Sequence, residues 1–143
     1  MKKDDIQLYR EIQKNAQMGR RAIETITPKV YDDSMALMLT RDLFRYGEIQ
    51  NEARKALLAA REVPPAENKV SSAMLTASIH ANTLLNTSTS HIAEMMIRGS
   101  NMGMTQLWKA LNKNGQATDT AVELAKELVD FEENNIKELK KYL

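Results

Sequence analysis

His91 and Glu94 stand three residues apart, and on a helix that spacing puts an imidazole and a carboxylate on one face, where they can supply two ligands to a divalent cation. The same Glu94 precedes Arg98 by four residues, the favourable order for a helical ion pair, and His91 can bond a capping hydroxyl or Glu94 itself. A purely structural role therefore competes with a chemical one. The other histidine, His80, lies eleven residues upstream, about 16 Å away even along an unbroken helix, so the two imidazoles cannot share an ion by local geometry. It reads as a satisfied interior or interface side chain. Glu132 and Glu133 are adjacent carboxylates in a highly charged helical stretch, and they read as a solvated surface rather than a general acid-base pair.

Other chemistries are excluded by what the chain lacks. It has no cysteine, hence no disulfide, thiolate zinc site, iron-sulfur cluster or cysteine nucleophile. With five glycines and no phosphate-loop, Gly-x-Ser-x-Gly or His-Glu-x-x-His pattern, nucleotide-binding loops and the common hydrolase signatures are missing as well. What stands out is a soft, apolar surface. Met95, Met96, Met102 and Met104 surround Gly99, Ser100 and Gly103, with Trp108 following. Thioethers beside a large aromatic fill cores, and they also suit adaptable contact with a partner. Glycine inside a helix costs about 1 kcal/mol against alanine, so close approach of another helix backbone is the expected compensation. Met95, Met96, Gly99, Met102, Gly103 and Trp108 are the expected interface.

The elements that would carry these residues read as helices throughout. Ile6, Tyr9, Ile12, Ala16, Gly19, Ile23 and Ile26 recur at three- and four-residue steps until Pro28, predicting a helix over about 4–27. Asp32 or Asp33 can cap a second, with a stripe from Met35 through Tyr46 to Leu57, over about 32–61 before Pro64-Pro65. Thr118 or Asp119 opens the last, about 118–142, whose stripe is Val122, Ala125, Val129, Glu132, Ile136 and Leu139. One unbroken helix from Asn68 to Asn114 would run roughly 65 to 70 Å, about twice its neighbours. Consecutive Ser and Thr at 87–90 favour a break there. The third long helix then covers about 90–113, and 62–87 is a crossover carrying a short helix, Ser72 to Leu85.

Bulk properties fit that plan. The 143 residues are 43% hydrophobic and 27% charged, which suits one folded domain. Val70 to Ala93 contains no Asp, Glu, Lys or Arg, and a helix without a charged side should be shielded from water. It is too often interrupted by polar residues to span a bilayer. Residues 1–30 hold seven basic and four acidic groups, and residues 118–143 four basic and seven acidic, so the two ends can pair with each other or between subunits. Arg20-Arg21 with Lys29 has no interleaved aromatics, and no nucleic-acid surface is expected. The amino terminus lacks an apolar signal region, making the cytoplasm the default location.

The segments STSHIAEMMIRGSNMGMTQLWKALNK and ELAKELVDFEENNIKELKKYL, with the opening hairpin, resemble small uncharacterised ferritin-like bundle proteins of Gram-positive bacteria. The resemblance implies an all-α four-helix bundle with ferritin-like connectivity, the crossover joining helices 2 and 3, and it brings no activity. Di-iron members of that fold use a Glu from each of two helices and Glu-x-x-His from each of the others. Here Glu48-Ile49-Gln50-Asn51 and Glu127-Leu128-Val129-Asp130 keep the spacing without either histidine. The expectation is a non-catalytic module acting as a homo-oligomer or through a protein partner, without a cofactor. The alternative is a metal-binding or redox protein with iron, manganese or zinc at a degenerate site drawn from His91, Glu94, Glu48 and Glu127. A third reading is a hydrophobic ligand held between helices.

Overall fold

The computed structural model describes residues 1–143. It is all-α, with no strand: α1 (Lys3–Ile26), α2 (Asp33–Ala59), α3 (Lys69–Thr83), α4 (Thr89–Lys113) and α5 (Asp119–Leu139), with single 3-10 turns at Thr27–Lys29 and Lys140–Tyr142. Local chemistry sets the limits. Pro28 falls in the turn that ends α1, and Asp32 caps α2 by accepting from the Met35 N–H at 2.8 Å. Asn68 accepts from Val70 and Ser71 to start α3. The uncharged middle leaves the helix after Thr83, and Ser88 caps α4 by accepting from the His91 N–H at 3.2 Å. Asn114 closes α4, its side-chain amide donating to the Ala110 carbonyl at 2.8 Å.

Contacts between the long helices give their directions. Arg10 of α1 meets Glu62 and Arg20 meets Gln50, so α1 and α2 are antiparallel. Asn15 reaches Gly103, while Asp4 and Asp5 at the start of α1 accept from Gln116 and Thr118 in the α4–α5 link. Hence α4 runs against α1, and α5 runs with it. α2 and α4 end at the same end of the molecule, so residues 60–88, including α3, carry the chain back along its length. α1 is the element that packs on all four other helices, and its Leu8, Ile12, Ala16, Ile23 and Ile26 are buried in the shared core. Asp5 is buried too. Burial alone would raise its pKa, yet donation from the Thr118 N–H at 2.6 Å and hydroxyl at 3.0 Å, with the Lys2 N–H, holds it below the usual value.

Within the single chain, the packing does not meet two of the expectations. The acidic α5 does not pair with basic α1: Glu127 and Glu138 bond Arg45 and Arg41 of α2 instead, because α5 lies antiparallel to α2 with those side chains in register. Nor is the charge-free segment shielded within the chain. On α3 only Ser72, Ile79 and Thr83 are buried, and Val70, Met74, Leu84 and Leu85 are 70%, 68%, 79% and 97% exposed. α3 rests chiefly on α1, and a helix with one main neighbour can bury only one face.

Candidate functional site

Between α1, α3 and α4 lies a recess of about 190 Å³. α1 contributes Met18, Gly19 and Ala22, α3 contributes Leu75 and Ile79, and Tyr46 of α2 and Glu132 of α5 are also among the lining residues. The α4 wall is built by Met95, Met96, Gly99, Met102 and Gly103, in the middle of the helix face that buries Ile92 before it and Leu107 and Ala110 after it in the core. Stiff aliphatic residues would have filled this space; methionines and glycines leave it open.

Polar groups converge on this lining. The Tyr46 hydroxyl donates to Glu132 Oε1 at 2.5 Å, and Ser100 lies close enough to the Glu132 carboxyl to influence its titration. Glu132 is 2% exposed, and its second oxygen, Oε2, has no partner. Burial pushes the Glu132 carboxyl up from its ordinary range, with Ser100 and the bond from Tyr46 opposing the rise. The Tyr46 ring is held on several sides: Phe131 packs edge-on with ring centres 4.8 Å apart, and Gly19 lies against its face. Burial and the adjacent Glu132 carboxyl raise its phenol well above the ordinary value, so at neutral pH it is a donor. Asn15 donates to the Gly103 carbonyl at 3.0 Å.

The polar groups continue away from the recess between α2 and α5. With its amide nitrogen facing Asp42, Asn135 donates to both carboxyl oxygens at 3.1 Å. Asp42 is pushed up to about 7 by burial, with the Glu138 charge adding to the rise, Arg41 opposing it and Glu132 contributing in the raising direction. Asp42, Asn135, Tyr46 and Glu132 thus form a buried string across the molecule, each member from the inner face of α2 or α5.

The four expected metal ligands do not meet. His91 Nε2 lies 2.7 Å from the Asn82 carbonyl, and Glu94 is paired with Arg98. Glu48 and Glu127 both face Arg45, at 3.9 and 3.2 Å. No group of three or more His, Cys, Asp or Glu is placed to hold a metal ion. His80, expected in an interior or interface, is exposed within this chain. Of the expected interface residues, Met95, Met96, Gly99, Met102 and Gly103 share the recess, whereas Trp108 lies beside Asn101, Met104 and Lys109 elsewhere on α4.

Within the chain, no helix backbone closes on either glycine. A Cβ at Gly99 would meet nothing within 4 Å, and one at Gly103 would sit 3.2 Å from Asn15 Oδ1. Gly103 therefore makes room for a side-chain amide. The largest correction concerns Glu132, expected on a solvated surface beside Glu133. Glu133 is exposed as expected, but Glu132 shares the apolar stripe of Val129 and Leu139 and is carried inward with it. That stripe was the available signal; Tyr46 carried the same signal on α2. Nothing local marked Ser100, Asn15 or Asp42. No protein-family model, curated protein or solved structure matches the chain.

Proposed function

We propose that this chain is a non-catalytic binding module, a four-helix bundle with ferritin-like connectivity whose recess between α1, α3 and α4 takes a small, largely apolar molecule. One observation carries the reading: an apolar, methionine-walled recess whose lining includes Glu132, a buried carboxylic acid with one oxygen left without a partner. Apolar cavities with a few convergent polar groups are the usual form of a small-molecule site. A binding role without turnover is supported by the carboxyl being tied to Tyr46, with neither histidine among the lining residues.

Methyl-labelled methionine gives a direct test. Titration with benzene-sized fragments is expected to move the Met95, Met96 and Met102 resonances and leave most of the nine methionines unmoved. Gly99→Leu places a side chain into open space at the rim, so it is expected to abolish those shifts while keeping the fold. Shifts spread over all the methionines, or an undiminished response in the variant, would overturn the reading.

A second, independent contact is supported by α3. Val70, Met74, Ala77 and Ala81 are exposed and follow a narrow seam at helical spacing, and the lack of charge from Val70 to Ala93 means that two copies can meet there without like charges opposing. We read this face as a homodimer contact. Sedimentation at about 100 µM is expected to give twice the chain mass, and Met74→Lys with Ala77→Lys to give the single-chain mass. A native protein of single-chain mass would remove this reading without affecting the recess.

A further inference from the structure

We propose that the occupant of the recess is a small primary amine with an apolar body, its ammonium group held by the Glu132 carboxyl. This rests on the recess being a ligand site, and it adds the chemical class of the ligand.

Charge within the lining makes the selection. Glu132 is its only carboxylic acid, and no Lys, Arg or His joins it. One carboxyl oxygen is committed to the Tyr46 hydroxyl and the other is unsatisfied. The terminal torsion of a glutamate is broad, so a modest rotation can present the free oxygen to a guest. An alcohol would supply a donor but no compensating charge, and a carboxylate would add a second negative group to a desolvated one. An ammonium supplies both a donor and the opposite charge, the combination that makes hydrogen bonds to carboxylates short and strong. The remaining walls suit the body of such a molecule: Met95, Met96 and Met102 are polarisable, and the Tyr46 ring adds an aromatic surface. Size sets the scale. A dry cavity of about 150 Å³ accepts benzene, so about 190 Å³ fits a ring with one or two further atoms.

Binding should therefore favour the ionised carboxyl. The titratable and polar groups around Glu132 are Tyr46 and Asp42 from α2 and Ser100 from α4, while Asn15 of α1 and Gln106 of α4 are the other polar lining residues. None of them is a cation.

The probes are benzylamine, benzyl alcohol, benzoate and toluene, which share a ring and differ in the head group. With the native chain at pH 7, read by the Met95, Met96 and Met102 methyl resonances, benzylamine is expected to bind at least tenfold more tightly than any of the other three. Its binding should also lower the titration midpoint of the Glu132 carboxyl, followed by carbon-13 shifts. Glu132→Gln is expected to erase the tenfold preference; should that variant not fold, the carboxyl titration of the native chain decides the same point. Benzyl alcohol or toluene binding as tightly as benzylamine, or a Glu132 midpoint unmoved by benzylamine, would overturn the amine assignment and leave the recess as a binding site. Silence of all four probes would overturn both.

Discussion

Gly19→Ala is expected to destabilise the protein by about 2 to 3 kcal/mol, although replacing a helical glycine by alanine ordinarily stabilises by about 1 kcal/mol. A Cβ at Gly19 would lie 2.5 Å from Tyr46 Cζ and 2.6 and 2.9 Å from its two Cε atoms, well inside contact distance. The ring is confined on several sides. It is 4% exposed, has Phe131 edge-on against it, and is anchored through its hydroxyl to Glu132. Overpacking of this kind costs about 1 to 3 kcal/mol, and displacing the hydroxyl leaves a buried carboxyl short of a donor, at about 1 to 3 kcal/mol more. Set against the helix gain, a net loss remains. Urea unfolding measures it, and the Tyr46→Phe background refines it: with the hydroxyl bond already absent, Gly19→Ala should cost less there than in the native chain. A stabilised Gly19→Ala protein would show that the ring is free to move.

The fold should also weaken as pH rises from about 4 to 8. Asp42 has a folded pKa of about 7 against an ordinary 3.8, so between those values the folded chain binds the proton more tightly than the unfolded one. Stability is then lost as pH climbs through that window, and the elevated Glu132 acts in the same direction. At about 1.4 kcal/mol per unit, Asp42 alone sets an upper bound near 4 kcal/mol. The Asn135 amide facing both Asp42 oxygens favours the carboxylate, which trims the Asp42 loss below that bound. Asp5 has the opposite sign. Its depressed pKa contributes stability that disappears as pH falls below the ordinary carboxylate range, so maximal stability belongs at about pH 4 to 5. Unfolding curves across this range test the slope, and Asp42→Asn should flatten it. A flat native profile would mean that the string is hydrated.

Legibility in the sequence divides along the reach of the forces involved. Pro28, Asp32, Ser88 and Asn114 act on their own backbone, so turns and caps can be read from adjacent residues. The stripes on α1, α2 and α5 were readable for the same reason, since a buried face repeats with the helical period. Failure begins where the deciding partner is remote in the chain. The Glu94–Arg98 ion pair is legible from its four-residue spacing, whereas the His91 ring meets the Asn82 carbonyl of the preceding segment, which helical spacing does not indicate. Glu132 looked solvated because Glu133 stands beside it, yet its environment is set by Tyr46, 86 residues away. Lack of charge in α3 suggested shelter, but shelter requires neighbours, and few pack there. The methionines of α4 are visible in the sequence as a cluster, but the recess they wall depends on α1 and α3 lying opposite them.

The buried string between α2 and α5 also fixes alignment. Two greasy helix faces can slide by a turn with little loss, because methyl groups are indifferent to which methyl they meet. Tyr46 and Asp42 allow no such slip, since moving either helix by one turn would strand a hydroxyl and two carboxyls away from their mates. The string therefore works like a key cut for a single position, and it sets the level at which Tyr46 and Glu132 reach the recess beside it.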